Sequence, residues 1–220
     1  MKKPSLKNIL LILSLILLCV TPAGSEETSC LYKVVKLKYA VVFDSFGREI
    51  IKAPMSSVFF GRRSGDKYVI TLPQNVVGYI NADDVLSLPR NDKLPLGDGK
   101  QFADYAMMLL GIDYLWGGCS ANGIDCSGLT YIAAKLCGLK LPRDSLPQSL
   151  TGFIVDLADA VTGDQLFFSS DNRKLMVTHT GIYLGDGDFV HSSGDIGVAV
   201  SNIYASEYYR QRFMFAKRQF

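Results

Sequence analysis

Histidine is scarce in this sequence, whose 220 residues hold only His179 and His191. A reaction that needs an imidazole base must therefore use one of these two side chains. A surplus of charge is also lacking. The formal net charge is +2, but the first 25 residues contribute three lysines and no acid, so residues 26–220 carry 20 basic (23 less 3) and 21 acidic side chains, a net charge of −1. This balance gives no indication of a nucleic-acid partner.

Cysteine occurs five times, in no pattern typical of a metal site. Cys119 and Cys126 are seven positions apart, whereas zinc-binding pairs are usually separated by about two to four residues. We therefore expect neither a metal ion nor another cofactor. In an exported protein, Cys30, Cys119, Cys126 and Cys137 could instead form two disulfides. For Cys126 a further alternative is a small buried apolar side chain, the usual role of a free cysteine.

The first 25 residues have the features of a secretory signal peptide. Three lysines come before an apolar run over residues 9–20, and the small residues 23–25 follow it. The run is shorter than the roughly 20 residues that span a bilayer comfortably. We therefore expect residues 26–220 to be exported to the periplasm or cell envelope without a membrane span; an uncleaved anchor is the alternative. Cys19 also permits a lipoprotein, although the preceding residue is a leucine, larger than such sites prefer.

Residues 31–88 alternate between short β-prone runs and turn residues. The runs cover residues 34–35, 39–43, 50–51, 58–60, 68–72 and 76–80. This close spacing without a helical period predicts a small β-barrel over residues 31–88. Residues 77–85 resemble the last strand of bacterial SH3-like domains. Residues 89–100 are rich in proline, glycine and charge, and they indicate a linker to a second domain over residues 101–220.

Two helices are predicted at the start of the second domain. The first covers residues 101–110 and ends at Gly111; its buried stripe is predicted to be Phe102, Ala106, Leu109 and Leu110. The second covers residues 126–137, with apolar side chains at helical spacing: Leu129, Ile132, Ala133 and Leu136. Cys126 opens this helix, where unpartnered N–H groups and the helix dipole favour a thiolate, the nucleophilic form of the side chain.

The two histidines are predicted to face each other on one hairpin. Residues 177–184 and 188–192 are β-prone, and Gly185-Asp186-Gly187 between them is a strong turn signal. His179 lies six positions before Gly185 and His191 six positions after it, so the two lie within a residue or two of direct opposition. One imidazole can then act as the base for Cys126 while the other orients it.

Residues 101–220 resemble the NlpC/P60 family, papain-like cysteine peptidases of bacterial cell walls. The matching segments are Tyr114-Leu115-Trp116-Gly117-Gly118, residues 123–129 around Asp125-Cys126-Ser127-Gly128, residues 141–145, Gln148, residues 163–168, residues 179–185 and residues 191–193. Cys119 departs from the pattern, because a polar or basic residue is expected there. The resemblance implies an α+β fold in which the helix-start cysteine packs on an antiparallel sheet, after an SH3-like β-barrel.

The resemblance also implies roles at the reacting centre. Cys126 is the nucleophile, His179 matches the family's base, and His191 fixes the tautomer of that base. The backbone N–H of Cys126 is a natural donor to the oxyanion, and Tyr114 lies near that oxygen in the family. Trp116 is expected in the core.

Asp125 and Ser127 flank the nucleophile, and two interpretations of them stay open. In family members that act on short peptides, such residues resemble part of the pocket for the free α-amine of the substrate. Alternatively, Asp125 caps the helix and Ser127 is a first-turn donor. Residues 143–145 are expected to start another helix, with Asp144 or Ser145 as its cap.

The family cleaves peptidoglycan stem peptides, typically between the γ-carboxyl of D-glutamate and a diamino acid. A preceding SH3-like domain resembles the architecture of members that trim free peptides with an N-terminal L-alanine. One alternative is an endopeptidase on intact peptidoglycan that uses the barrel as a wall anchor. Another is a non-catalytic peptidoglycan-binding protein, against which the intact Cys126, His179 and His191 argue. An acyltransferase of related fold would have histidine before cysteine.

Overall fold

A computed structural model of the chain describes residues 31–88, 94 and 96–220. The predicted signal peptide, Cys19, Cys30 and residues 89–93 and 95 of the predicted linker lie outside the described residues. Within the described part, no helix combines the length and the apolarity needed to cross a membrane.

Residues 31–87 form one antiparallel sheet, here called the N-terminal sheet. Its strands are β1 (Leu31–Val35), β2 (Tyr39–Phe43), β3 (Glu49–Pro54), β4 (Val58–Ser64), β5 (Lys67–Thr71), β6 (Val77–Asn81) and β7 (Val85–Ser87). They are ordered β3-β2-β6-β5-β4-β1-β7. Each predicted β-prone run lies in or overlaps one of the strands. Alternate side chains such as Ala40, Val42 and Ile80 fill the core on one face. The SH3-like assignment of this sheet stays a prediction.

Residues 99–220 combine helices with a second antiparallel sheet, here called the C-terminal sheet. The elements are α1 (Gly99–Met107), β8 (Cys119–Ser120), β9 (Gly123–Ile124), α2 (Cys126–Leu136), α3 (Ser145–Gln148), β10 (Phe153–Val155), β11 (Gln165–Ser169), β12 (Val177–Gly185), β13 (Asp188–Ser193), β14 (Gly197–Asn202), α4 (Glu207–Arg212) and β15 (Phe213–Arg218). Six strands form the sheet in the order β10-β15-β11-β12-β13-β14, and β8 pairs with β9 separately. The predicted α+β class is confirmed.

Helix α1 starts two residues before its predicted start, because Asp98 caps it by accepting a hydrogen bond from the Gln101 N–H at 2.8 Å. Phe102, Ala106 and Leu109 are buried as expected. Leu110 is 37% exposed, so its place in the stripe was predicted wrongly. The reason is that the helix ends at Met107, which leaves Leu110 in the following turn.

Helix α2 has the predicted apolar stripe, and its four members are buried in one core between α1 and strands β12 and β13. Burial of each large aliphatic side chain is worth about 1.5–3 kcal/mol.

Cys137 follows the helix, and burial raises the pKa of its thiol to about 12. Cys119, Cys126 and Cys137 are all free thiols, so the alternative of two disulfides is wrong.

The N-terminal sheet packs against the chain that leads to α2. Val34 and Met55 belong to the same core cluster as the α2 stripe. The Tyr39 hydroxyl donates to the backbone oxygen of Ala121 at 2.6 Å, in the turn between β8 and β9. The Lys38 ammonium donates to the backbone oxygen of Leu110 at 3.0 Å. The segment that presents the helix-start cysteine is therefore supported from both regions of the molecule.

Candidate active site

The hairpin β12–β13 brings the two histidines together. His191 is paired with Gly181, so His179 is two residues from direct opposition, as predicted. The turn residues Gly185, Asp186 and Gly187 all have positive φ, which explains the two glycines there. The His179 Nε2 and His191 Nδ1 atoms are 3.2 Å apart.

Cys126 is the first residue of α2 and is 8% exposed. The backbone N–H groups of Cys126, Ser127 and Thr180 donate toward its sulfur and lower the pKa of the thiol. Thr180 directly follows His179 in strand β12. Strand β12 therefore donates a backbone hydrogen bond to the Cys126 sulfur from Thr180 and carries the predicted base, His179, at the preceding position.

Burial decides the charge state of all three groups. It is the largest influence on Cys126, whose pKa it raises against the three N–H donors. Burial also lowers the pKa of His179 to about 4, and burial together with the charge of His179 lowers that of His191 to about 3. The predicted thiolate bias at the helix start is therefore wrong for the resting protein, because desolvation outweighs the helix N-terminus. At neutral pH the Cys126 thiol and the His179 imidazole are therefore both uncharged, and a neutral imidazole is the form that accepts a proton.

A chain of polar groups continues behind the histidines. His191 Nε2 lies 2.9 Å from the Ser201 hydroxyl of β14. If His179 Nδ1 accepts the thiol proton, His179 Nε2–H donates to His191 Nδ1, and His191 Nε2–H then donates to Ser201. Proton positions are assigned from this hydrogen-bond pattern. With His179 Nδ1 as the base, this is the one set of tautomers that satisfies both bonds, and Ser201 is then a positioning residue for the pair.

Tyr209 of α4 covers the histidine pair. Its ring centroid lies 5.0 Å from that of His191 and 6.2 Å from that of His179. Hydrogen bonds from Ser201 and Ser193 lower the pKa of its phenol, against the larger raising effect of burial. Neither Ser201 nor Tyr209 was predicted from the sequence. The only signal for Ser201 was a polar residue in the strand that follows the hairpin.

Asp125 is the N-cap of α2, accepting from the Gly128 N–H at 2.7 Å. Its carboxylate also accepts two hydrogen bonds from Arg143, at 2.9 and 2.7 Å, and one from the Gly117 N–H at 2.8 Å. Arg143 further donates to the Ser127 hydroxyl at 3.0 Å. The predicted helix cap at Asp125 is therefore present, and the Asp125 carboxylate is paired with Arg143. Arg143 was predicted only as the start of a helix; α3 begins at Ser145, with Asp144 as a cap that makes no side-chain bond.

Tyr114 lies close to the nucleophile, whereas Trp116 does not lie in the core. Burial, and then the nearby Cys126, raise the pKa of the Tyr114 phenol. Trp116 is 85% exposed, so its predicted core position was wrong. The chain turns back at Gly117, whose φ is +75°, and the turn is closed by a bond from the Gly118 N–H to the Leu115 oxygen. The backbone of this turn forms hydrogen bonds with Asp125 and Arg143, and the Trp116 indole lies on the solvent side of the turn.

Gln148 connects the nucleophile helix to the histidine strand. Its amide accepts from the Thr130 hydroxyl at 2.8 Å and donates to the Ser127 backbone oxygen at 3.1 Å, both in α2. On the other side Gln165 donates to Gln148 at 2.7 Å and to the Thr180 hydroxyl at 3.0 Å. This buried amide cluster fixes the spacing between Cys126 and the residue next to His179.

The fold and the site define a papain-like class of protein: a cysteine at a helix start, a neutral histidine beside it on an antiparallel sheet, and a second histidine behind the first. Within that class the chain belongs to the NlpC/P60 family, whose model matches residues 111–218. The murein DD-endopeptidase MepS/murein LD-carboxypeptidase of Escherichia coli K12 is 33% identical over 137 residues, which cover 62% of this chain and 69% of that protein.

Two further comparisons agree. A γ-D-glutamyl-L-lysine dipeptidyl-peptidase of Bacillus cereus is 35% identical over 125 residues, 57% of this chain and 38% of the relative. The chain thus spans less than half of that relative. The crystal structure of an NlpC/P60 family protein from Bacillus cereus superimposes with a TM-score of 0.78 at 26% identity, over 86% of this chain and 63% of that one.

Proposed function

We propose that this chain is a cysteine peptidase that cleaves peptidoglycan stem peptides between the γ-carboxyl of D-glutamate and the diamino acid. The observation that carries the proposal is that the sulfur of Cys126, at the start of α2, accepts a hydrogen bond from the N–H of Thr180, the residue next to His179 of the His179–His191 pair. The names of the relatives, a γ-D-glutamyl-L-lysine dipeptidyl-peptidase and a murein endopeptidase, support this substrate class. No cofactor takes part in the proposed reaction.

The proposed reaction runs in two steps. Cys126 passes its proton to His179 and attacks the γ-carbonyl carbon, and the oxyanion accepts hydrogen bonds from the Cys126 N–H and the Tyr114 hydroxyl. The C–N bond then breaks as His179 returns the proton to the leaving amine, which leaves a thioester. A water molecule, deprotonated by His179, attacks the thioester and releases the carboxylic acid and the thiol.

We further propose that the preferred substrates are short free peptides with an N-terminal L-alanine. The N-terminal sheet supports this, because it packs against the β8–β9 turn, in the segment that leads to Cys126. Asp125 and Ser127 remain the proposed subsite for the amine. Because Arg143 already pairs with Asp125, an ammonium would share this carboxylate. We therefore expect N-acetylation of the substrate to lower kcat/KM by about tenfold, less than an unpaired carboxylate would give.

An endopeptidase on intact peptidoglycan is the second candidate, with the N-terminal sheet as an SH3-like wall anchor. The similarity to the murein DD-endopeptidase, of which this chain covers 69%, favours it. Both candidates place the protein outside the cytoplasm. We propose export through the N-terminal signal sequence to the periplasm or cell envelope.

The test is incubation of the full chain with L-Ala-γ-D-Glu-L-Lys, its N-acetylated form and isolated peptidoglycan, followed by mass analysis. Release of lysine from the free tripeptide, and loss of that release in Cys126→Ser, are the expected results. Products from the polymer without cleavage of the tripeptide would favour the endopeptidase. A folded protein that cleaves none of the three would contradict both candidates.

A further inference from the structure

A cavity of about 240 Å³ shares His179 as one of its walls. We call it the His179 pocket. Phe168 and Ser170 at the end of β11 line it, as do Tyr208, Tyr209 and Arg212 of α4. Among the described residues that line this pocket, none comes from α2 or from the Asp125–Arg143 pair. The pocket therefore extends from the base on a different side from the cluster around Asp125.

The chemistry of the base decides which part of a peptide enters this pocket. In amide cleavage by a thiol, the protonated base returns its proton to the nitrogen that leaves. That nitrogen must come within hydrogen-bond distance of His179, so the amino acid attached to it lies on the His179 side of the site. A pocket walled by His179 is positioned for this leaving amino acid.

Arg212 gives the pocket its charge, since it is the only charged residue among the lining residues described. Its guanidinium lies over the Tyr208 ring, 3.8 Å from the centroid, and donates to the backbone oxygens of Ser170 and Tyr208 at 3.2 and 3.1 Å. The nearby Asp171 is paired with Arg173 at 2.6 Å.

Arg212 itself has no ion pair within 4 Å in the described part of the chain. Stacking and two backbone acceptors hold the guanidinium in place, while Nη2 has no acceptor among the described residues. A guanidinium fixed in this way binds a carboxylate at a small cost in side-chain entropy.

We propose that the His179 pocket binds the leaving amino acid through its free α-carboxylate, which pairs with Arg212. This inference rests on the proposed function and narrows its substrate class. A peptide that ends at the diamino acid carries the required carboxylate. A peptide whose diamino acid is amidated, or extended by another residue, does not carry it at that position.

The experiment compares L-Ala-γ-D-Glu-L-Lys as the free acid with the same peptide as its C-terminal amide. For the wild-type chain the free acid is expected to have a kcat/KM about 10- to 100-fold higher, mainly through KM. In Arg212→Gln that ratio should fall below about 2, whereas Arg212→Lys should retain part of it. Arg210→Gln is the matched control on the same helix: Arg210 is exposed, does not line the pocket, and should keep the wild-type ratio.

The failures are distinguishable. Cleavage of both peptides at equal rates by the wild type would overturn the carboxylate site and leave the peptidase intact. An unchanged ratio in both Arg212 variants would overturn the role of Arg212. If the folded wild-type chain cleaves neither peptide, the proposed function fails and this inference fails with it.

Discussion

The N-terminal sheet and residues 99–220 differ in what they bury. Among the side chains described within residues 33–88, Lys33 is the one buried side chain that is polar, and the rest of that interior is apolar. Residues 99–220 bury eleven polar side chains, among them Asp125, Gln148, Thr180 and His191. A buried polar group costs free energy unless it is hydrogen-bonded. None of the buried side-chain polar atoms in the described residues lacks a partner.

The apolar interior of the N-terminal sheet serves stability, whereas the polar interior of residues 99–220 also positions particular side chains. An apolar interior stabilises a sheet without fixing any one side chain to a hydrogen-bond direction, as in the N-terminal sheet. In the C-terminal region, directional bonds run from the first turn of α2 through Gln148 to Thr180, and from His179 through His191 to Ser201. Substitutions in the two regions should therefore affect stability and turnover differently.

The largest expected effect is at the base. His179→Ala should lower kcat for stem-peptide cleavage by about 10⁴-fold or more, because no other group in the site takes the thiol proton. His191→Ala should cost about one to two decades less, since it orients the base. Steady-state kinetics on purified variants gives both values. A more severe loss in His191→Ala would mean that the two roles are reversed.

The buried amide cluster provides the sharpest contrast between the regions. Gln148→Leu should lower the free energy of unfolding by about 2–4 kcal/mol, because the Ser127 and Pro142 oxygens lose their donor. It should also lower kcat, because Gln148 holds α2 to β12. Val42→Ala, in the apolar N-terminal core, is the matched control: we expect a loss of about 1–3 kcal/mol and an unchanged kcat per folded molecule.

Denaturant unfolding and kinetics at a temperature where both variants are folded test this contrast. An equal fall of kcat in Gln148→Leu and Val42→Ala would remove the distinction between the two interiors.

The histidine pair also predicts how stability depends on pH. Burial lowers the pKa of His179 to about 4 and that of His191 to about 3. Unfolded histidine binds a proton near pH 6.5, so below that pH the unfolded state takes up protons that the folded state does not. The stabilisation is present in full above pH 6.5 and is lost as the pH falls toward 4 and 3. Unfolding curves of the wild type and of His191→Asn, measured from pH 7 to 4, check this. Equal pH dependence in the two proteins would contradict a buried neutral His191.

The smallest expected effect is at Ser201. Ser201→Ala removes the acceptor for His191 Nε2–H and should lower kcat about tenfold with little change in KM. Ser201→Thr keeps a hydroxyl and should recover most of the loss. If Thr and Ala are equally impaired, the effect comes from packing and Ser201 does not position the histidine.

Local pattern predicted the elements that carry the reacting groups. The stripe of α2 and the glycine turn between His179 and His191 are features of neighbouring residues, and both are confirmed. Trp116 and Leu110 were wrongly predicted to be buried. The exposure of Trp116 depends on the position of a turn, and that of Leu110 depends on the residue at which a helix ends. Arg143, Gln148 and Ser201 act on partners 10 to 21 positions away through side-chain geometry that no periodicity encodes. The pKa of Cys126 was predicted in the wrong direction because burial is set by the whole fold.

The most direct test of the Cys126–His179 pair is alkylation by iodoacetamide as a function of pH, followed by peptide mass mapping. In the wild type, Cys126 should react faster at pH 6 than at pH 4, because neutral His179 takes the thiol proton as the sulfur attacks and itself becomes protonated as the pH approaches 4. In His179→Ala, Cys126 should react at least about 100-fold more slowly at pH 6. Exposed Cys119 is the internal control and should react alike in both proteins. Identical pH profiles for Cys126 with and without His179 would contradict the account.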